Sequence, residues 1–564
     1  MTKRTLRLLF ATLALPVTML LGAHPAASQD LTETARRDAI AREAAQRFFA
    51  ARSEIEQTRP TVIPSTLATV DLTLDEATTR ALDRNLELAV ERLTPQTFDL
   101  TIARLRSAYQ PIATSQIGQR EIVLPPTNQL NGGNIVQNDT TTYNAGVTQF
   151  LPWGGGNVAL QFNNNKQVTS NIFANFNPTF TSNFNATVTQ PLLRGFLIDG
   201  NRQQLRVTAL SRDMSELQLQ GTIATTLASV RNAYWELLYG IEAVQVTQGS
   251  LGLAEKLVED NRARVEIGTM APLDVVQAEA EVATRRQALA QAETTWRTSE
   301  LALKRLIVNG TDDPVWRASI NPVDRPVFAP EPLDVEAALR SALNNRTDLE
   351  QARRQIAAND TTLSFMRNQT LPALDVTASY GTQGLGGTQF IRQGTGLGSS
   401  IIGRIPGGYA DALRTMTGRD YPTWTFQLNM AYPLGASAAD ASYARARVQR
   451  NQSSAQLRAL ELQVATDVTN AALQVENGLR RYEAALAARE LAQTRLEAEQ
   501  SRFDVGLSTN FFVVQAQRDL ATAQNSELRA LLDYRRSLVD FERVQEAPAT
   551  RGGGIIAVAA GAAN

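Results

Sequence analysis

Cysteine is absent from the 564 residues, and histidine occurs once, at His24. The first absence removes disulfides, thiolate catalysis, cysteine-ligated zinc and iron–sulfur clusters. It also removes a lipid anchor on an N-terminal cysteine. An excess of charge of one sign is missing too: 55 Lys+Arg stand against 56 Asp+Glu, a net charge of −1. No wide basic face is available, so no nucleic-acid partner is expected. Lysine is scarce: beyond residue 28 only Lys166, Lys256 and Lys304 occur. No run of 18 apolar residues exists, so no helix of the usual membrane-spanning length is expected.

The first 28 residues have the pattern of a secretory signal peptide. Lys3, Arg4 and Arg7 precede a 16-residue apolar run from Leu8 to Ala23 that contains Pro16. Ala26-Ala27-Ser28 places small residues before a cleavage site after Ser28. The run is short for about 30 Å of hydrocarbon, which weighs against a membrane anchor. Cleavage removes His24 and leaves a chain with neither His nor Cys and a net charge of −4. Most hydrolase triads, imidazole general bases and zinc sites are then excluded. A carboxylate-pair enzyme survives as a formal alternative, but abundant Asp/Glu on helices is more simply a solvated face. No cofactor or metal is expected.

Two textures alternate along the chain. Residues 205–265 and 443–503 are rich in Ala, Gln, Arg and Glu and nearly free of Gly and Pro, the composition of long helices. In the first, Ile223, Val230, Leu237, Val244, Leu251, Val258 and Val265 repeat every seven residues. Leu227, Tyr234 and Ile241 interleave with them. This spacing lays one narrow apolar seam along the helix, as in a coiled coil. At 1.5 Å per residue the segment reaches roughly 90 Å.

Residues 111–190 and 372–432 are instead rich in Asn, Thr, Gln, Gly and aromatics. Trp424, Phe426, Leu428, Met430 and Tyr432 alternate with Thr425, Gln427, Asn429 and Ala431. Phe184, Ala186 and Val188 alternate with Asn185, Thr187 and Thr189, and Leu374 to Tyr380 alternates likewise. Such a period of two predicts strands with one apolar and one polar face. Soluble sandwich strands show the same alternation. The uncharged Asn/Thr face favours a membrane barrel with a wet lumen.

The chain is also an internal duplication. Ala77, Ala81, Leu82, Leu88, Arg92 and Pro111 recur 261 positions later as Ala338, Ala342, Leu343, Leu349, Arg353 and Pro372. Val230, Asn232, Ala233, Arg264, Gly268 and Val275-Val276-Gln277-Ala278 recur 238 positions later, ending in Val513-Val514-Gln515-Ala516. The 23-residue difference lies mostly in the strands of the first repeat. The predicted divisions are a signal peptide (1–28), an N-terminal extension (29–70), a first repeat (71–320; strands 111–190, turn 268–272), a second repeat (321–546; strands 372–432, turn 506–510) and a flexible tail (547–564). Each repeat reads helix, strands, long helix, turn, helix. In the turns, Gly268 and Gly506 suit the position just past a helix end. Thr269, Ser508 or Thr509 can cap the outgoing helix, and Pro272 suits its first turn. A helix at about 74–108 and one at about 273–308, each over 50 Å at this rise, are expected to stack end to end beside the long helix.

Two clear strands per repeat, or up to six in the chain, cannot close a barrel whose smallest known size is about eight. Open edges are not tolerated in lipid, so several chains must build the barrel together.

These features resemble the TolC-like outer membrane efflux proteins. The resemblance rests on Leu72-Thr73-Leu74-Asp75-Glu76-Ala77 with Ala81-Leu82; on Gln190-Pro191-Leu192-Leu193-Arg194-Gly195-Phe196 followed by Asn201-Arg202; on Asn232-Ala233-Tyr234-Trp235-Glu236-Leu237-Leu238; and on the two turns, each followed by Val-Val-Gln-Ala. It covers about 70–546. The resemblance implies an α+β membrane protein of the outer membrane, extending into the periplasm. Duplicated antiparallel coiled-coil helices form a periplasmic α-barrel, and strands are contributed to a shared trimeric β-barrel, four per chain and twelve in all. It implies a homotrimer in outer-membrane lipid, working with a periplasmic adaptor (membrane fusion) protein and an inner-membrane transporter in efflux or type I secretion.

It further implies that the turns dock onto the adaptor, through Gly268, Thr269, Pro272, Gly506, Ser508 and Thr509. The helix after the second turn is expected to ring the periplasmic aperture. Counting from Gly506, the positions that are acidic in well-known relatives are Phe512 and Gln515 here. Phe503 and Asp274 are further aperture candidates. The chain departs from the family in lacking a lipidated cysteine, in residues 30–70, in Thr94-Pro95 inside the first helix, and in an additional hairpin candidate. That hairpin comprises Tyr143–Phe150, a turn at Pro152-Trp153-Gly154-Gly155-Gly156, and Val158–Lys166; if it enters the barrel, six strands per chain make eighteen. The competing reading is a periplasmic coiled-coil scaffold or adaptor without a barrel.

Overall fold

Local signals open the first helix of the computed structural model, which describes residues 68–125, 135–325, 333–394 and 399–545. The signal peptide, most of the N-terminal extension and the C-terminal tail lie outside them. Strand β1 (Thr69–Leu72) leads into helix α1 (Leu74–Arg84) through a capping box. The Thr73 hydroxyl accepts from Glu76 N at 3.2 Å, and Thr73 N donates to the Glu76 carboxylate at 3.2 Å. Helices α2 (Leu86–Glu91) and α3 (Thr94–Ser107) follow, divided where Pro95 enters the first turn of α3. The expected single helix over 74–108 is thus three pieces.

Strands β2 (Ile112–Leu124), β3 (Val136–Phe150), β4 (Asn157–Thr169) and β5 (Phe176–Pro191) come next. The long helix α4 (Gly200–Glu266) is capped by Asp199 and returns as α5 (Pro272–Ile307). The short α6 (Pro314–Arg317) and β6 (Ser319–Pro322) close the first half. The second half holds α7 (Val335–Asn345), α8 (Thr347–Gln369), β7 (Ala373–Gln393), β8 (Ser400–Ile405), α9 (Tyr409–Gly418), β9 (Pro422–Ala431), α10 (Ala438–Asp504) and α11 (Asn510–Gln545). Both long helices have 67 residues and both return helices have 36. At 1.5 Å per residue these are about 100 Å and about 54 Å. Among the described residues no helix is long and apolar enough to cross a membrane.

Helix α4 is flanked by α3 near the sheet and by α5 near the turn; α8 and α11 also pack on it. The heptad seam faces these neighbours: Val230, Leu237 and Val258 are buried. One core joins α1, α4 and α5 to β1 and β6 through Leu72, Ala77, Tyr234, Leu303, Ile307 and Ile320. Tyr234 is fully buried, and its hydroxyl donates to Leu72 O at 3.0 Å and accepts from Asp324 N at 3.0 Å. Burial pushes this phenol up to about 12, so it stays neutral. Glu300 is buried in the same region. It takes Ile320 N at 2.8 Å, Lys304 Nζ at 3.1 Å and an Arg297 nitrogen at 3.1 Å. Burial alone would raise its carboxyl; these partners outweigh that and hold it below the usual range. This carboxylate is therefore no part of a solvated helix face.

The expected number of strands is four per chain, or six with the additional hairpin; seven form one antiparallel sheet in the order β2-β3-β4-β5-β7-β8, with β9 also on β7. Strand β8 pairs with β7 over 389–393 and β9 with β7 over 373–382, so both lie on the same side of β7 at different heights. The sheet therefore has six columns. The hairpin suspected at 143–166 is part of it: β3 pairs with β2 from Ile112↔Thr148 to Leu124↔Val136, and β4 pairs with β5 from Asn157↔Thr189 to Gln167↔Thr179. The register puts Ile117, Tyr143, Phe162, Phe184, Tyr380 and Trp424 on one face and Gln116, Asn144, Gln161, Asn185, Thr377 and Gln427 on the other. One face is thus apolar along its length near the helices, and the other is polar, mostly Asn, Gln, Thr and Ser, with Arg120 and Asp375 as charged members.

Two substitutions test the α1–α4–α5 core. Tyr234→Phe leaves Asp324 N without its Tyr234 partner, while Leu72 O keeps Val323 N at 3.1 Å, and should cost about 1–3 kcal/mol. Leu303→Ala opens a cavity and should cost about 2–5 kcal/mol. Thermal unfolding followed by helical circular dichroism should rank them in that order.

Candidate functional site

The long helices end in two turns built alike. At the first, Gly268 N donates to Val265 O at 3.0 Å and Thr269 N to Arg264 O at 2.9 Å. At the second, Gly506 N donates to Phe503 O at 3.1 Å and Leu507 N to Arg502 O at 2.8 Å. This pair of bonds is the Schellman motif, which satisfies the last carbonyls of a helix and requires a left-handed residue. Gly268 has φ +78° and Gly506 φ +76°. Nothing lies within 4 Å of a Cβ added at either. The backbone conformation, not crowding, therefore selects glycine here.

The polar residues of the turns have other tasks than those expected. The Thr269 hydroxyl donates back to Arg264 O at 3.0 Å, so it closes the incoming helix. Helix α5 has Ala271 at its N-cap with no side-chain bond, and starts on Pro272. Ser508 donates to Glu499 at 2.8 Å rather than capping α11. Thr509 accepts from Phe512 N through its backbone carbonyl at 3.1 Å.

The two hairpins are joined side by side. Leu257, Leu496, Phe503, Val513, Val514 and Leu520 form one core across them. Arg264 stacks on the Phe503 ring at 4.2 Å, donates to Phe503 O at 3.2 Å and pairs with Asp504 at 3.0 Å. Phe503, an aperture candidate, is buried in this core and does not project from the end. Asn510 is buried and bridges the hairpins: it accepts from Asn261 at 3.0 Å and donates to Asp274 O at 3.3 Å. Deeper in, Glu281 on α5 takes Arg518 of α11 at 3.0 Å and Arg285 at 2.7 Å. Glu281 is only 3% exposed. Burial would raise its carboxyl, but the Arg518 hydrogen bond and the Arg285 charge outweigh it and hold it below the usual range. Arg264, Glu281 and Arg518 escape a reading of the sequence because their partners lie up to 240 residues away; the only local hint is Arg285 one turn after Glu281.

Apolar side chains stand exposed around the turns, among charged ones such as Arg502 and Asp504. Ile267, Leu273, Val505 and Leu507 are each at least 70% exposed. Phe511 and Phe512 are about half exposed and meet edge to face at 5.6 Å. Phe512 occupies the position in the second turn that Asp274 holds in the first. Asp274 is partly exposed, and Gln515 donates to Asp519 at 2.8 Å.

The family model for "Outer membrane efflux protein" matches residues 157–309 and 338–544. The fold also matches solved structures at low identity. The Campylobacter jejuni CmeC outer membrane channel is 13% identical, with 84% of this chain and 85% of that chain covered and a TM-score of 0.60. VceC, an outer membrane protein of Vibrio cholerae, is 14% identical, with 84% and 96% covered and a TM-score of 0.59. The Neisseria gonorrhoeae MtrE outer membrane channel, in its open state, is 18% identical, with 87% and 94% covered and a TM-score of 0.57. Long paired helices carrying a two-faced antiparallel sheet are the architecture of an outer-membrane channel. The chain belongs to the outer membrane efflux protein family. It is an outer-membrane efflux duct that extends into the periplasm, and its fold is that of channels rather than enzymes.

Two outcomes test the turns. Gly268→Val and Gly506→Val should each cost about 1–2 kcal/mol through the αL backbone, and Gly→Asn at the same sites should cost less; thermal midpoints decide. Arg518→Met removes one of two partners of Glu281. Arg518 is half exposed, so screening keeps the cost to about 1–2 kcal/mol. Because the folded Glu281 pKa is depressed, its contribution is complete above the unfolded value near 4.3 and is lost as pH falls through the lower folded value. The gap between wild type and Arg518→Met should therefore close on acidification below about pH 4.

Proposed function

We propose that this chain works as a homotrimeric exit duct, docked through its two helical turns onto a periplasmic adaptor that couples it to an inner-membrane transporter. The carrying observation is the sheet: one apolar face, one polar face rich in Asn, Gln and Thr, and edges at β2 and β9 that no strand of the same chain covers among the described residues. Such a sheet is unsatisfied in lipid until other copies complete it. Passage through a duct needs no catalytic group, so the reading is of a passive conduit and not an enzyme. The exposed apolar rim formed by Ile267, Leu273, Val505 and Leu507 supports docking at the turns with Gly268, Thr269, Pro272, Gly506, Ser508 and Thr509. Cross-linked protein purified from membranes should bring down an adaptor and a transporter, and should run as a heat-modifiable trimer. A monodisperse monomer that conducts ions overturns the reading.

The same turns supply the aperture. Phe512 is half exposed on α11 and supported by Phe511, so three copies bring three aromatic rings to a common axis, where apolar contact and dewetting close the path. Gln515 lies one turn further along α11 and adds no charge. Phe512→Ala should raise the single-channel conductance of the reconstituted trimer by about twofold or more, and wild-type conductance should resist multivalent cations added from the periplasmic side. Unchanged conductance in the alanine variant, or block at low cation concentration, rejects the aromatic gate and favours an acidic ring at Asp274.

A further inference from the structure

We infer that each copy contributes six strand columns to the barrel, so that three copies close a wall of eighteen strands in which β9 of one copy pairs with β2 of the next. The inference rests on the trimer proposed above and departs from the twelve strands that the family resemblance implies.

The additional columns are β3 and β4, and three observations place them in the wall. Their ladders with β2 and β5 run the length of the strands. Their side chains continue the two faces of the sheet over the half nearer the helices: Val147, Leu160 and Phe162 on the apolar side, Asn144, Gln161 and Asn163 on the polar side, with Asp139, Asn164 and Lys166 on the first side further along. The turn between them, Leu151–Gly156, is fastened at the helical end of the sheet. Gly154 O accepts from Gln190 at 2.6 Å. Gly155 has φ +67°, and a Cβ there would meet Gly195 O at 2.4 Å. Glycine is thus required where this turn sits against the loop that enters α4.

Closure between copies follows from direction and facing. All in-chain pairs of the sheet are antiparallel, so six columns begin and end with opposite strand directions. Strand β9 therefore meets β2 of the next copy antiparallel, and any number of copies gives an even, fully antiparallel wall. The ten residues of β9 are all exposed, Trp424 to 77%, and β2 offers 13 residues that pair only with β3. On both edges alternate residues belong to the apolar face: Ser115 and Ile117 on β2, Trp424, Phe426 and Leu428 on β9. Pairing them continues both the apolar exterior and the polar lumen. At equal tilt, circumference grows with strand number, so eighteen columns make a wall half as long again as twelve.

The cysteine-free chain allows a direct test. Ile117→Cys is combined in turn with Trp424→Cys, Phe426→Cys and Leu428→Cys, which sample three adjacent registers on one face. Oxidation of membranes should produce reductant-sensitive dimers and trimers from at least one pair, and none from any single variant. Leu160→Cys with the same partners reports the competing closure, in which β4 is the edge; cross-links from that series overturn the inference. A density map of the trimer in lipid nanodiscs reads the count independently: eighteen strands support it, and twelve overturn it even if no cysteine pair is in register. Native mass of the assembly reads copy number separately. A mass other than three chains rejects the trimer and hence eighteen, whereas β2–β9 cross-links in that assembly keep six columns per copy.

Discussion

A backbone amide at the edge of a sheet has no partner in hydrocarbon, and the two edges of this sheet place that demand on everything else in the molecule. The apolar face with Trp424, Phe426, Leu428 and Met430 exposed assigns the sheet to lipid. Its edges then make an isolated chain unsatisfactory there. The proposed assembly of copies removes the edges and would bring the attached helices together, because α4 and α10 begin within about ten residues of the strands β5 and β9. The helices do not need lipid to form. Their seams bury Val230, Leu237, Val464 and Val468 against neighbouring helices of the same chain.

The helical half was legible because its rules are local. A seven-residue repeat, a glycine past each helix end and a fixed offset between halves together specify long helix, Schellman turn and return helix, and these helices have 67 and 36 residues in both halves. The capping box at Thr73 and the break at Pro95 belong to the same class of signal. The strand half was legible only in part. Alternation is clear in β5, β7 and β9, but β2 mixes Arg120, Glu121 and Gly118 into its pattern, and β8 is six residues in a Gly-rich stretch. Helix α9 was invisible for a related reason. It lies on β7 where glycines replace side chains: a Cβ on Gly384 would meet Ala412 O at 1.8 Å, and one on Gly386 would meet Gly408 O at 2.3 Å. Those glycines read as loop residues in the sequence, whereas they are strand residues that admit a helix.

At the turns, spacing located the site but could not assign its bonds. The spacing lets Thr269, Ser508 or Thr509 cap the outgoing helices, yet Thr269 bonds back to Arg264 and Ser508 to Glu499. Phe503 matches no acidic or polar pattern and is enclosed under Arg264. Glu281 and Arg518 are 237 residues apart, and a charge on a helix looks solvated until the facing helix is known. Pair interactions across the duplication are the information that a linear reading lacks.

The duplication also explains where the chain can differ between its halves. A long helix must enter from the same end of the sheet in each half, so the number of strands before it is constrained by direction. One additional strand would deliver the chain to the wrong end of the sheet and detach α4 from its neighbours. A hairpin returns the chain to its starting end, and β3 with β4 is such a hairpin, turning at Leu151–Gly156 beside the loop that begins α4. The second half varies in another permitted way, placing β8 and α9 beyond the part of β7 that β9 covers. Both additions leave the strand ends at Pro191 and Ala431 in place, and both long helices keep the same length. Strand number can therefore change in pairs while the long helices and their return helices keep their lengths, and outside the sheet the halves differ in the Pro95 break between α2 and α3, which α8 lacks, and in single positions at the turns such as Asp274 and Phe512.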